Sequence, residues 1–242
     1  MLQKLHGVVL YVVKYSDKSN IAHIYTEQDG QVSFLIPAVR RSRKSAVNPV
    51  LFRPFSLVEI EADIRLKSGL HPIREARIWY PLDSLPYHPY KMGISMFLAE
   101  FLYRTLQEED GNAPLFAYLV NSIRWLDACG RDFSNFHLVF LLRLTRFLGF
   151  YPNLDDYVSG CCFDLLNACF VDGAPSHGLF LSAEESSRII NLMRMNYETM
   201  RLFVMSRNER NRCLDVIVAY YRLHLPAFPE LKSLSVLKEL YG

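Results

Sequence analysis

Val58-Glu59-Ile60-Glu61-Ala62-Asp63-Ile64-Arg65-Leu66 decides the fold of the first third of this chain. Apolar and charged side chains alternate strictly, which is the period of a strand with one buried face and one wet face. Working outward, Val8-Val-Leu-Tyr-Val-Val-Lys14 and Ile21-Ala-His-Ile-Tyr-Thr26 are β-branched and aromatic. Asp29-Gly30 marks a tight turn, and Val32, Phe34 and Ile36 alternate after it. Downstream, Ser68-Gly69 turns the chain into a fifth strand over 73–80. Five short strands in so few residues suit a small barrel, and a five-stranded OB-fold fits the count.

Pro81, Pro86 and Pro89 then interrupt the pattern, and residues 81–91 read as a linker. Beyond it the period becomes 3.6. Helices are expected near 91–108, over 113–128 behind Pro114, and from a Ser134 cap to Gly149. Ser182-x-x-Glu185 and Ser206-x-x-Glu209 resemble capping boxes that open helices near 183–195 and 207–224. The expected architecture is α+β: an OB-fold barrel over 1–80, the linker, and an all-α helical domain over 92–242.

The greasiest stretch, Phe136 to Phe150, is broken by Arg143 and Arg146, which argues against a membrane span. No secretory signal is visible, and five cysteines suggest reduced thiols in a cytoplasm. The chain's net charge of +2 hides a split. Residues 1–80 carry 12 Lys and Arg against 7 Asp and Glu, whereas 81–242 carry 15 against 18. Charge asymmetry of this kind points to a polyanion on the basic side.

The basic side has a centre. Arg40-Arg41-Ser42-Arg43-Lys44 places four cations in five positions, and no carboxylate lies between Pro37 and Pro49. Such a loop repels itself unless a polyanion or solvent relieves it. On a barrel with aromatic side chains it supplies the phosphate-tracking half of a single-strand groove. Arg53, Lys67, Arg74 and Arg77 extend the candidate patch. Stacking candidates are Tyr11, Tyr15, Tyr25, Phe34, Phe52, Phe55, Trp79 and Tyr80, although most are expected in the barrel core or an interface.

Cys161, Cys162, Cys169 and His177 lack the spacing that turns two sulfurs toward one ion, so no metal is expected there. Nothing resembles a nucleophile elbow, a zincin helix or a phosphate-binding loop, so the chain reads as non-enzymatic, without a cofactor. Residues 188–222 hold seven arginines against three acids. Arg188, Arg194, Arg201, Arg207, Arg210 and Arg212 form a candidate partner-binding stretch. The last three crowd a helix start, where positive charge opposes the helix dipole.

The order of these parts resembles a known family. Gly7-Val-Val-Leu10, Asp29-Gly30, the Arg40–Arg43 loop and Pro54-Phe-Ser-Leu-Val-Glu-Ile-Glu61 are similar to the N-terminal barrel of RecO, a DNA-repair and recombination-mediator family. Leu98-Ala-Glu-Phe-Leu102, Leu141–Gly149 with Pro152-Asn-Leu-Asp155, and Tyr220–Leu225 followed by Leu231–Leu234 are similar to its helical domain. The resemblance implies binding of single- and double-stranded DNA and annealing of complementary strands. It implies partnership with RecR and with the acidic, phenylalanine-ended tail of single-strand-binding protein, and hence loading of RecA. A cytoplasmic, nucleoid-associated protein is expected. For the tail, the arginines of 188–222 beside Leu192, Met193, Phe203 or Tyr220 are candidates. Many members carry a four-cysteine zinc module after the Pro-x-Leu-Asp segment. Tyr157, Gly160 and Gly178–Ser182 stand there instead, so residues 155–182 read as a remnant packed by apolar contacts. The competing readings are a protein adaptor and an RNA-binding OB-fold protein.

Overall fold

The computed structural model describes all residues except 1, 40–45, 65–68, 108–109, 226–227 and 241–242. The chain forms two compact units, residues 1–128 with 230–241 and residues 129–229.

Five strands open the first unit: β1 (Leu2–Lys14), β2 (Ser19–Thr26), β3 (Gly30–Pro37), β4 (Leu57–Asp63) and β5 (Leu70–Tyr80). They close in the order β1-β2-β3-β5-β4, which is the OB-fold. The alternation holds over Val58–Asp63: Val58, Ile60 and Ala62 are buried, and Glu59 and Glu61 are partly exposed, while Arg65 and Leu66 of the expected strand lie outside the described residues. β1 is long enough to pair with both β2 and β4. The two ladders meet at Gly7, where an added Cβ would lie 2.4 Å from the Ile24 side chain. The turn before β3 is set by Thr26, whose hydroxyl donates to Gly30 O (3.0 Å) and accepts from Asp29 N–H (3.2 Å). Gly30 adopts a φ of 67°. β3 and β5 are the parallel pair, joined over Ser33–Leu35 and Leu70–Pro72.

The proline-rich stretch is firmly held. Asp127, near the end of α2 (Ala113–Ala128), accepts the backbone N–H groups of Asp83, Ser84 and Leu85 at 3.0, 2.9 and 2.7 Å. Lys91, on α1 (Pro89–Thr105), is only 1% exposed and donates to Ser84 Oγ and Asp127 O. Pro89 occupies the first turn of α1, where its missing N–H costs nothing.

The chain's end returns to this unit as α6 (Ser233–Leu240), a helix absent from the sequence expectation. Buried Glu100 on α1 accepts the N–H groups of Lys232 (3.1 Å) and Ser233 (2.8 Å) and the Ser233 hydroxyl, capping α6 from outside. Gly93 permits the approach, since a Cβ there would lie 2.4 Å from Leu240 Cδ2. Glu100→Ala is expected to cost about 3 kcal/mol, because hydrogen bonds to a buried charged acceptor are among the stronger ones. Fast amide exchange confined to 231–240 would report the loss, and unchanged protection there would contradict it.

The second unit holds α3 (Phe136–Leu144), α4 (Ala183–Arg194) and α5 (Arg207–His224). α3 is shorter than expected. Asn135 rather than Ser134 precedes it, and residues 145–149 are turns closed by Phe150 N–H on Thr145 O (3.2 Å). Gly149 has a φ of 82° there. Ser206 and Glu209 form the complete capping box expected for α5. A small sheet, β6 (Cys162–Asp164), β7 (Cys169–Val171) and β8 (Phe180–Leu181), lies within this otherwise helical region and was not anticipated. An apolar cluster including Phe163, Phe170, Leu181, Ile190 and Tyr220 fills the lobe.

Candidate nucleic-acid interface

Arg40, Arg41, Arg43, Lys44 and Lys67 lie outside the described residues, but the ends of the Arg40–Lys44 loop are defined. Where the loop leaves, Ala38 N–H donates to Lys18 O at 3.0 Å, beside the β1–β2 turn. Where it returns, Ala76 N–H of β5 donates to Ala46 O at 3.0 Å. Val47 is then buried, and Asn48 caps a single 3-10 turn at Pro49–Leu51. Ser19, Pro37, Ala46 and Arg74 line one cavity of about 320 Å³ at this rim of the barrel. The four-cation loop therefore starts and ends on a rim that already carries exposed Lys18 and Arg74. Arg74 has no ion pair among the described residues. Tyr15, in the same β1–β2 turn, is 63% exposed.

The other cations of the patch sit elsewhere. Arg77 is bound to Glu59 at 2.5 Å, and His6 approaches the same carboxylate at 3.4 Å. Lys4 pairs with Glu61. Burial pushes the Glu59 carboxyl up, but the hydrogen bond and charge of Arg77, helped by His6 and Lys4, hold it below its ordinary value. The outer face of β4 thus balances Glu59 and Glu61 with Arg77 and Lys4. Arg53 is exposed but lines an apolar groove.

The aromatic candidates separate in the same way. Tyr25, Phe34, Phe52 and Phe55 are core. Trp79 stacks on His6 at 4.1 Å, Tyr11 stacks on Tyr103 at 5.0 Å, and Arg124 lies over Tyr80. Tyr103 of α1 also covers His23, whose imidazole is held below its ordinary pKa by burial and then by the Arg104 charge. Tyr15 alone of the candidates stays largely open, and nothing in its sequence context distinguishes it.

In the second unit the candidate partner arginines are not equivalent. Arg210 is 9% exposed and donates to Asn135 Oδ1 and Met205 O, both at 3.0 Å, so it is structural and leaves the candidate surface. Arg188 pairs with Glu184, and Arg212 with Glu185. Arg194, Arg201 and Arg207 are exposed. The crowding of positive charge at the start of α5 is offset inside the chain by the Glu209 carboxylate, which accepts Ser206 N–H (2.8 Å). The cavity bounded by Arg188, Leu192 and Arg212 is small, about 20 Å³.

Comparison with known proteins gives two consecutive family matches. Residues 1–82 match Recombination protein O N terminal, and residues 87–235 match Recombination protein O C terminal. The chain belongs to the RecO family. DNA repair protein RecO of Phocaeicola vulgatus is 65% identical over 242 residues, covering all of both chains. Its namesakes from Bacteroides fragilis and Azobacteroides pseudotrichonymphae are 57% and 40% identical, again over the full length of each. The family places the chain in DNA repair and recombination.

Where the resemblance to RecO puts a zinc module, this chain has the β6–β8 lobe. Among the described residues, no group of three or more His, Cys, Asp or Glu side chains is placed to hold a metal ion. Asp164 instead organises the β6–β7 turn. It accepts the N–H groups of Leu166 and Asn167 and the Asn167 amide, and His177 lies 3.1 Å from it. All five cysteines are free thiols, and burial, followed by the Asp164 charge, pushes the Cys169 thiol up. Among the described residues, no helix is long and apolar enough to cross a membrane.

Proposed function

We propose that this chain is a non-enzymatic recombination mediator that binds single- and double-stranded DNA, with the phosphate contacts centred on Arg40, Arg41, Arg43 and Lys44. One observation carries the reading. In a chain of the RecO family, the four-cation loop begins and ends on one rim of a closed OB-fold barrel, beside Lys18 and Arg74. Clustered cations next to an accessible ring supply the two elements of sequence-tolerant single-strand binding, a phosphate track and a base platform. Tyr15 is the ring we place there. Annealing follows if two strands are held on cationic surface with their base edges exposed. RecR, the acidic tail of single-strand-binding protein and, indirectly, RecA are the proposed partners in the cytoplasm. Arg188, Arg194, Arg201, Arg207 and Arg212 remain the proposed tail-facing cations.

Titration with single-stranded DNA across a salt series tests this. Replacing Arg40, Arg41, Arg43 and Lys44 with alanine is expected to lower the slope of log affinity against log salt by about 3, at roughly 0.7 per phosphate contact. Annealing of complementary strands should fall in parallel. No DNA binding by the unaltered protein at low salt would refute the reading, and an unchanged slope would remove the loop from it.

A further inference from the structure

A groove in the first unit has a different character from the basic rim. Two adjoining cavities of about 440 and 330 Å³ share Arg53, Ser56, Leu82 and Pro86. Each is within the usual size range of a ligand site, about 300–1,000 Å³. The first is walled by Pro54, Leu85, Met92 and Met96, and the second by Val50, Ile78, Tyr80 and Tyr87. Met92 and Met96 stand one turn apart on the same face of α1. Apolar surface is left open to water here: Met96 is 52% exposed, Val50 57% and Tyr87 76%. Contiguous open apolar surface marks an interaction site, and Met, Tyr and Arg are the residues enriched in such sites. Methionine adapts its shape to what it meets.

Arg53 is the one charged side chain lining either cavity among the described residues, and it has no ion pair there. A DNA track requires several cations in succession, whereas this groove has one cation between two apolar pockets. A guanidinium so placed matches a carboxylate, which it can grip with two parallel hydrogen bonds. We propose that this groove is a docking site for a segment of another protein that carries two large apolar side chains with a carboxylate between them. The apolar side chains enter the two cavities and the carboxylate pairs with Arg53. This reassigns Arg53 from DNA to a protein partner, independently of the role of the basic loop.

Selection of random linear peptides displayed against the full-length protein tests the assignment. Enriched peptides are expected to carry Asp or Glu between large apolar residues. As isolated peptides they should bind Arg53→Ala and Met96→Glu proteins at least about tenfold more weakly. Selection against Arg53→Glu should replace the acid by Lys or Arg. Both side chains are exposed, and circular dichroism is the check that the variants fold; Arg53→Gln and Met92→Gln serve if either does not. Peptides with no such pattern, or indifferent to Arg53 and Met96, would overturn the proposal. So would a single-stranded DNA salt slope lowered by about one in Arg53→Ala, which makes Arg53 a phosphate contact. Dissociation of a dimer by Met96→Glu in sedimentation would also overturn it, by showing a second copy in the groove.

Discussion

Asp127→Ala is expected to destabilise the first unit by about 3 kcal/mol, since it removes a charged acceptor from three backbone N–H groups at once. Those groups, on Asp83, Ser84 and Leu85, are otherwise held in a turn between the barrel and α1. The hydrogen bonds of Lys91 to Ser84 Oγ and to the main-chain oxygen of residue 127 depend on the same turn. Asp127→Asn keeps an amide oxygen for Ser84 and Leu85 and should recover roughly half the loss. The chain's two tryptophans, Trp79 and Trp125, both lie in this unit, so their fluorescence during chemical denaturation reports its unfolding alone. A loss under about 1 kcal/mol would mean that the turn holds itself without the carboxylate. Leu82, Leu85 and Pro86 line the groove beside Arg53, so the same variant should also weaken any ligand of that groove.

Acid is expected to destabilise the second unit through His137. This imidazole is fully buried on α3, and burial, followed by the nearby Arg210 charge, lowers its pKa from 6.5 to about 3. Between those two values the unfolded chain takes up a proton that the folded chain refuses. Stability is therefore whole above pH 6.5 and falls as pH drops through that window. The linkage slope is about 1.4 kcal/mol per pH unit, so the loss from pH 7 to pH 4 is about 3 kcal/mol. Amide exchange in α3 and α5, followed against pH, should show it. Glu209 and Asp164 also lose stabilising charge in acid, because their carboxyls are held below the ordinary range. A His137→Leu variant separates the terms: its profile should stay flat between pH 6.5 and 5, where carboxylates are still ionised. An equally steep fall in that variant would exclude His137 as the cause.

The two effects bear on function differently. The Asp127 turn shapes one wall of the proposed protein groove, since Leu85, which it holds, lines that groove. Arg210, which lowers the pKa of His137, is held by Asn135, which also donates to the carbonyls of Met200 and Phe203. That buried set anchors the start of α5, where the exposed arginines are displayed.

Much of this was legible in the chain because its causes are local. Alternation in Val58–Asp63 specifies a strand with one buried face, whatever lies against it. Asp29-Gly30 specifies a turn through the positive φ of one glycine, and Ser206 with Glu209 specifies a helix start through two short hydrogen bonds. The four-cation loop is visible as charge alone, and the order of these pieces points to the family that the comparisons establish. The pairing of β3 with β5, the return of α6 to Glu100, and the burial of Arg210 against Asn135 depend on residues far apart in the chain. An arginine reads the same in sequence whether it meets solvent, Glu59 or a buried amide. Only tertiary packing separated Arg74, Arg77, Arg53 and Arg210 into an exposed rim cation, an ion-pair partner, a groove cation and a core residue. It did so because burial and neighbouring charge are properties of the assembled unit, whereas strand alternation, turns and caps are set within a few residues.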